Sequence, residues 1–271
     1  MKKLSVLLVA LLVLTAGAFA QVNVANVKDG VYFAQSDDFS SSGWKAQAIV
    51  VVNKGKIVSA TWNAVSNIAG ANDKKSYAAA GKYGMVKASK IKVEWDVQAK
   101  TVEEYLVKTQ DVNFSKYDKD GHTDAISGAT LSVSEFFELA RKALQSQPVA
   151  KGPYKDGWYY KEGDKYENGW KDSVIVTVVN GTIVDVVFNG INSDSKQKSK
   201  LVQSKEGTYK MNAKNGEWHV QADRLAKAVI KAGDPAKIAV NKDGKTDAVS
   251  GVSITVSGLL SLAQEALKAA K

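Results

Sequence analysis

Residues 49–58 read IVVVNKGKIV, and residues 175–184 read IVTVVNGTIV. In each stretch, two runs rich in β-branched residues flank a short turn that contains Asn and Gly, which is the strongest local signal of a β-hairpin. One hairpin lies in each half of the chain. The sequence therefore predicts that one structural unit occurs twice.

Short stretches on both sides of the hairpins also occur twice, in the same order and at an offset of about 123–127 residues. An offset of this size is much longer than a solenoid repeat and indicates two tandem copies of one domain. We predict the first domain at residues 27–147 and the second at residues 152–271, joined where Gln, Ser, Pro and Gly cluster. The matched pairs are Asp29–Tyr32 with Asp156–Tyr159, Gly43–Lys45 with Gly169–Lys171, Gly81–Met85 with Gly207–Met211, Trp95–Ala99 with Trp218–Ala222, and Thr123–Thr130 with Thr246–Ser253.

Each copy places its strands first and its helices afterwards. Apolar residues recur at helical spacing over residues 99–110 and 222–232, and again in the last segment of each copy. The predicted fold class is therefore α+β, with two tandem domains that each contain an antiparallel sheet with a hairpin, followed by helices.

The first 20 residues have the three parts of a secretory signal peptide. Lys2 and Lys3 are basic, an apolar stretch runs from Leu4 to Leu14, and small residues surround the end at Ala20. An uncleaved membrane anchor is the alternative, but the apolar stretch is short for a bilayer. We therefore expect an exported protein, located in the periplasm or at the outer face of the cytoplasmic membrane.

Composition excludes several functional classes. The 271 residues include no cysteine and only two histidines, which rules out disulfides, thiolate metal sites and a cysteine nucleophile. The formal net charge of +9 is spread along the chain, a pattern that does not indicate nucleic-acid binding. His219 has no counterpart in the first copy, where Asp96 stands. We therefore predict neither a metal site nor a set of catalytic residues.

Residues 124–132 read DAISGATLS and come directly before the last predicted helix of the first copy. Gly128 permits a close approach of another group, Ala129 keeps the surface open, and the Ser and Thr side chains supply hydroxyls. Two interpretations remain open. The segment is either a turn that caps the helix or a phosphate-binding turn at the helix N-terminus, where free N–H groups and the helix dipole favour an anion.

This segment resembles the flavinylation motif of the FMN-binding domain family, Asp-x-x-Ser/Thr-Gly-Ala-Thr/Ser-x-Ser/Thr. The family occurs in the C subunit of sodium-pumping NADH:quinone reductase, in related electron-transport complexes and in exported flavoproteins of extracellular electron transfer. Its motif threonine carries FMN through a phosphoester bond that a magnesium-dependent FMN transferase installs. The resemblance implies that Thr130 carries FMN, that Ser127, Gly128 and Ala129 shape the turn, and that Asp124 supports the transferase reaction.

The second copy matches the motif at Asp247, Ser250 and Gly251 but departs from it at the next two positions. Val252 replaces the alanine, and its extra methyl groups are expected to crowd the turn. Ser253 replaces the threonine and retains a hydroxyl. The resemblance therefore leaves Ser253 as a second candidate for covalent FMN.

The resemblance extends to a Tyr-x-Met stretch and a Trp-x-x-Gln-Ala stretch in each copy, and it covers most of residues 27–271. It implies that these side chains line the flavin ring, whereas a role in the hydrophobic core is the alternative. They are Tyr83, Met85, Trp95 and Gln98 in the first copy and Tyr209, Met211, Trp218 and Gln221 in the second.

The resemblance also implies a function. A covalently bound flavin passes electrons singly or in pairs without a catalytic acid or base from the protein. We therefore expect an electron carrier that works outside the cytoplasm between a membrane donor and a terminal acceptor, with an FMN transferase as a further partner. A non-redox envelope or surface binding protein built on degenerate FMN-binding domains is the main alternative, and a substrate-specific flavin reductase is another.

If residues 1–20 are a cleaved signal peptide, the exported protein begins at Gln21, because the small residues Ala18 and Ala20 fit the cleavage rule. N-terminal sequencing of protein recovered from the envelope checks this. Recovery of Met1 on the exported chain would contradict cleavage and favour the anchor.

Overall fold

The structure is a computed structural model that describes residues 21–68 and 70–271. The signal peptide predicted at residues 1–20 lies outside these residues and stays a prediction. The first copy contains β1 (Gly30–Gln35), β2 (Trp44–Asn53), β3 (Lys56–Ser66), α1 (Lys74–Ala79), α2 (Met85–Ala88), α3 (Trp95–Thr109) and α4 (Ser134–Leu144). The second contains β4 (Gly157–Glu162), β5 (Trp170–Val179), β6 (Thr182–Asn192), α5 (Lys200–Glu206), α6 (Trp218–Ala232) and α7 (Ser257–Ala266).

Each copy forms its own three-stranded antiparallel sheet, in the order β1-β2-β3 and β4-β5-β6. The predicted hairpins connect the second and third strands of each sheet. In the first hairpin, Lys54 and Gly55 have φ values of 51° and 68°, and in the second Asn180 and Gly181 have 50° and 74°. Two consecutive positive φ values match the tight turns that follow the right-handed twist of the strands. The α+β prediction is confirmed.

The long helices cover one face of each sheet. In the first copy, α3 packs on β3 and α4 on β2, and in the second α6 packs on β6 and α7 on β5. Ala99, Val102 and Leu106 recur at helical spacing on α3 and are fully buried. Among the described residues, no helix is both long enough and apolar enough to cross a membrane. The domain boundaries at 27–147 and 152–271 stay predictions.

The two sheets meet through their helix-free faces in a layer of polar side chains. On β2, alternate residues such as Ala46 and Ala48 face the helices, so Lys45 and Gln47 point the other way. Lys45 Nζ lies 2.8 Å from Asp185 Oδ1 on β6, and Gln47 Nε2 donates to Asp185 Oδ2 at 3.1 Å. Because these groups are buried, Lys45 and Asp185 depend on the other copy for their charged partners.

Further hydrogen bonds join the two copies. Trp158 Nε1 donates to Gln47 Oε1 at 2.6 Å. The Asn67 carbonyl accepts from Asn189 Nδ2 at 3.1 Å and from the Ser199 hydroxyl at 2.7 Å. The polar layer therefore fixes how the two copies are oriented in this structure.

Asp185→Ala is expected to lower the free energy of unfolding by about 3 kcal/mol, because it leaves the Lys45 ammonium buried without its counter-charge. Adding Lys45→Met to this variant removes the orphaned charge and is expected to restore most of the loss. Urea denaturation measures both changes. Asp37→Ala removes an ion pair to Lys142 in which the aspartate is solvent-exposed, and should change little. Equal losses in Asp185→Ala and Asp37→Ala would contradict the role of the buried pair.

Candidate functional site

Thr130 presents its side chain at the surface while a buried glutamine holds it from below. Gln98 on α3 is fully buried, and its Oε1 accepts hydrogen bonds from the Thr130 backbone N–H at 2.7 Å and from the Thr130 hydroxyl at 3.0 Å. The Gln98 Nε2 donates to the Val93 carbonyl at 2.8 Å. A flipped amide would place Nε2 against the Thr130 N–H and Oε1 against the Val93 carbonyl. The amide orientation is therefore assigned, and in it the Thr130 hydroxyl donates to Oε1.

The rest of the motif alternates between the core and the surface. Its apolar side chains anchor the turn in the first hydrophobic core, and its polar residues face solvent. Gly128 has a φ of 87°, in the left-handed region that favours glycine, which lets the chain turn between two buried anchors. The buried side chains are Ile126, Ala129 and Leu131, and the exposed residues are Asp124, Ser127, Gly128 and Thr130.

The motif ends at Ser132, directly before α4 as predicted, but its side chains do not cap that helix. That helix begins only at Ser134, and the N–H groups of Val133 and Ser134 both donate to the Gly121 carbonyl, at 2.7 and 3.3 Å. Val133 occupies the N-cap position and supplies no side-chain hydrogen bond. The expectation of a capping turn is therefore wrong, whereas a phosphate bound near the helix N-terminus stays a prediction.

The second copy repeats the anchored hydroxyl. Gln221 Oε1 accepts from the Ser253 N–H at 2.7 Å and from the Ser253 hydroxyl at 3.2 Å, and Gln221 Nε2 donates to the Gly216 carbonyl at 2.8 Å. The expected crowding by Val252 does not occur at the surface of the turn, because its side chain is buried in the second core as Ala129 is in the first. Asp247, Ser250 and Ser253 are exposed, and Gly251 is half-buried.

An arginine distinguishes the second turn from the first. Arg224 Nη1 donates to the Gly251 carbonyl at 2.8 Å and to the Asn215 carbonyl at 2.5 Å. A Cβ atom at Gly251 would lie 2.8 Å from the same nitrogen, so the guanidinium sits directly against the glycine. Thr101 occupies this place in the first copy. The second turn therefore carries a positive charge beside its serine that the first lacks.

The aromatic and methionine positions of the resemblance divide into two groups. Trp95 is buried and packs edge-on against Trp62, with ring centroids 5.2 Å apart, so the core alternative describes Trp95 and Gln98. Tyr83 and Met85 are half-buried at the edge of the first core. The second copy divides in the same way, with Trp218 and Gln221 buried and Tyr209 and Met211 half-buried.

Each copy also holds a lysine inside a cage of aromatic rings. Lys74 Nζ lies 4.4 Å from the Trp95 ring centroid, 4.8 Å from that of Tyr83 and 5.7 Å from that of Trp44. These distances are typical of cation–π contacts. The second cage places Lys200 Nζ 5.2, 5.1 and 5.7 Å from the rings of Trp218, Tyr209 and Trp170.

Burial shifts the pKa values of charged groups in both cages. Burial lowers the pKa of Lys74 to about 8, while the charge of Glu135 acts in the opposite direction. Burial also lowers the pKa of Lys200, which the charge of Asp172 opposes. Burial raises the pKa of Asp172 above its ordinary value. Each cage therefore combines a desolvated ammonium with a carboxylate in range, an arrangement common at functional sites.

Sequence reasoning missed these residues, although the repeat carried a signal for them. Lys74 and Lys200 recur at the offset of the other matches, as do Trp44 and Trp170. A second recurring pair is acidic. Glu94 Oε1 accepts from the Met85 N–H at 3.0 Å, and Glu217 Oε2 accepts from the Met211 N–H at 2.7 Å.

A cleft of about 490 Å³ lies between the two copies and is separate from both motif turns. Lys45, Asp185 and His219 are among the residues that line it. His219 Nδ1 lies 2.9 Å from the buried Ser204 hydroxyl, so this histidine has a partner within the second copy. Within residues 21–68 and 70–271, no group of three or more His, Cys, Asp or Glu side chains is placed to hold a metal ion.

Residues 43–145 match the model of the FMN-binding domain family. A protein from Clostridium thermocellum, solved by solution NMR, is 51% identical in a match that covers 44% of this chain and 90% of that one, with a TM-score of 0.34. A protein from Clostridium perfringens, solved by crystallography, is 23% identical over 44% of this chain and 89% of its own, with a TM-score of 0.33. No curated protein is significantly similar to the chain.

The Lys74 ammonium is expected to titrate near pH 8 in the flavin-free protein, because burial disfavours its charged form. NMR of the lysine ε-methylene groups measures this, and Lys74→Met identifies the resonance.

The lowered pKa of Lys74 makes the free energy of unfolding depend on pH. Between about pH 8 and about pH 10.4 the folded chain binds fewer protons at Lys74 than the unfolded chain, so this group makes stability rise with pH there. Urea denaturation at pH 8 and pH 10 should show a smaller rise for Lys74→Met than for the unaltered protein. Identical rises would contradict the lowered pKa.

Proposed function

We propose that this protein is a covalent flavoprotein that carries electrons outside the cytoplasm, because residues 43–145 match the model of the FMN-binding domain family. In this proposal FMN is esterified to the Thr130 hydroxyl, and the protein works between a membrane donor and a terminal acceptor. The observation that carries the proposal is the Thr130 hydroxyl itself, which is exposed yet held by a buried amide.

The surroundings of Thr130 fit FMN. Trp95 and Gln98 stand one helical turn apart on α3, so the aromatic cage and the anchor of Thr130 lie on the same side of that helix. Aromatic faces suit a flat ring, and an ammonium suits its carbonyl oxygens. FMN supplies one- and two-electron chemistry when bound. The residues that would hold it are Thr130 at the phosphate end and Tyr83, Met85 and the caged Lys74 toward the ring.

The anchor shapes how the ester would form. Gln98 Oε1 accepts the proton of the Thr130 hydroxyl in a hydrogen bond and so orients the oxygen. An amide oxygen is a poor base and cannot keep that proton, so removing it falls to another protein. This fits an FMN transferase as partner, with the exposed Asp124 within the same motif available to it.

The same geometry makes Ser253 the second proposed FMN site. Its hydroxyl is exposed and bonded to a buried glutamine, as in the first copy. Arg224 beside Gly251 adds a positive charge that favours a phosphate. The two sites would let one chain hold two flavins.

An exposed motif also supports a carrier over a substrate-specific reductase. The motif's polar residues lie on an open turn, where large partners can approach, and the cleft between the copies lies elsewhere. A carrier needs access for protein partners, and its protein supplies orientation and electrostatics for the ring.

Protein produced with an FMN transferase is expected to gain the mass of FMN less one water on the peptide that contains Thr130. Thr130→Ala should abolish this gain because the accepting oxygen is gone, whereas Thr130→Ser should keep it. Peptide mass analysis of the native and variant proteins gives the result, and Ser253→Ala tests the second site in the same way. Unmodified peptides at both sites in envelope-derived protein would overturn the proposal and favour a non-redox surface protein.

A further inference from the structure

We propose that Lys74, and Lys200 in the second copy, bind the carbonyl edge of the flavin ring and make the flavin easier to reduce. This inference rests on the proposed function, because it assigns a role to residues beside the proposed FMN site. It adds a positioning and tuning residue in each copy that the motif does not contain.

The first support is that both ammonium groups have hydrogen-bond donors to spare. A lysine ammonium carries three N–H donors. Within the part of the chain that the structure describes, neither Lys74 Nζ nor Lys200 Nζ donates a hydrogen bond to a protein oxygen or lies within 4.0 Å of a carboxylate. Lys74 and Lys200 are half-buried, whereas the buried Lys45 is paired with Asp185 at 2.8 Å. The caged lysines therefore have aromatic neighbours but no acceptor from the described part of the protein, and an acceptor-rich ligand can take up their free N–H groups.

The second support is the way the two copies supply a carboxylate. In the first copy the acid in range of Lys74 is Glu135, on the first turn of α4. In the second copy it is Asp172, on β5, and it acts on Lys200. The chain alignment places Ala46 opposite Asp172 and Gly258 opposite Glu135.

The change of acid from Glu135 to Asp172 is sterically linked to the glycine at position 258. A Cβ atom on Gly258 would lie 3.0 Å from Asp172 Oδ2, so a side chain there would press against the carboxylate that replaces Glu135. Each copy thus has one acid near its lysine, from a different element. In both copies that acid favours the ammonium form against burial. Because the two copies place an acid near the lysine from different elements, we infer that the lysine must stay charged.

The third support is location. The Lys74 ammonium lies closest to the Trp95 ring, and Trp95 stands one turn before Gln98, the residue that holds Thr130. Tyr83, another wall of the cage, is half-buried. A flavin tethered at Thr130 therefore has the cage as its neighbouring surface.

The expected effect follows from charge balance. Two electrons from an external reductant and one proton from solvent leave the flavin ring with one net negative charge. A nearby ammonium stabilises that charge and so raises the midpoint potential. If Lys74 contacted only the phosphate, which is present in both oxidation states, its removal would leave the potential unchanged.

The test uses full-length flavinylated protein carrying Ser253→Ala, so that one flavin is observed. Mass analysis first establishes that each variant carries FMN on Thr130, and thermal melting establishes that it is folded. Spectroelectrochemical titration then gives the midpoint potential for Lys74→Met, Lys74→Gln and Lys74→Arg. Lys100→Met is the matched control, because Lys100 lies on α3 with its side chain exposed.

Lys74→Met and Lys74→Gln should each favour the oxidised flavin by about tenfold or more, which is about 30 mV for a two-electron couple. Lys74→Arg should lie closer to the parent protein, and Lys100→Met should match it. Unchanged potentials in Lys74→Met and Lys74→Gln would overturn the inference even when FMN is bound as proposed.

A second measurement does not depend on the covalent bond. In protein carrying Thr130→Ala and Ser253→Ala, added FMN should shift the Lys74 ε-methylene NMR resonance, and inorganic phosphate at the same concentration should not. Equal shifts with FMN and phosphate would assign the lysine to the phosphate and overturn the ring contact. A failure of flavinylation with an intact FMN shift would count against the covalent proposal alone.

Discussion

The hydrogen bonds of one buried amide hold the site together. Gln98 lies on the inner face of α3, out of reach of water, so its oxygen and nitrogen must find partners in the protein. The oxygen finds both donors of Thr130, and the nitrogen finds the Val93 carbonyl. Leaving such a group unsatisfied costs roughly 1–3 kcal/mol. The exposed turn is therefore tied to the core, because its Thr130 donors satisfy the buried oxygen of Gln98.

A comparable requirement links the two copies. Asp185 and Lys45 are both buried between the sheets, and Gln47 bridges between them and Trp158. Buried charges separated from their partners are costly, so sliding or opening this layer is opposed. The interface is also directional, because each donor needs a particular acceptor. The positions of the two motif turns relative to one another are thus set by polar contacts on the faces opposite the helices.

The sequence predicted the α+β class, the repeat and both hairpins because these depend on local patterns of two to ten residues. It also located the exposed threonine, since the motif is contiguous. It did not predict how the loop ends before α4, because the Val133 and Ser134 N–H groups donate to the Gly121 carbonyl, which lies in an earlier turn. The caged Lys74 was missed for a related reason. Its walls, Trp44, Tyr83 and Trp95, are brought together only by folding.

Comparison of the copies separates the constraints on the fold from those on the site. The motif turn differs between the copies. Val252 fills the second core where Ala129 fills the first, and Arg224 packs against Gly251. The glutamine anchor and the caged lysine have not changed. A core needs only volume and apolar surface, so it accepts valine for alanine if neighbours adjust. An ammonium held half-buried over aromatic faces is partly desolvated, which costs the fold free energy. Its retention in both copies, each with an acid from a different element, is therefore better explained by a ligand than by stability.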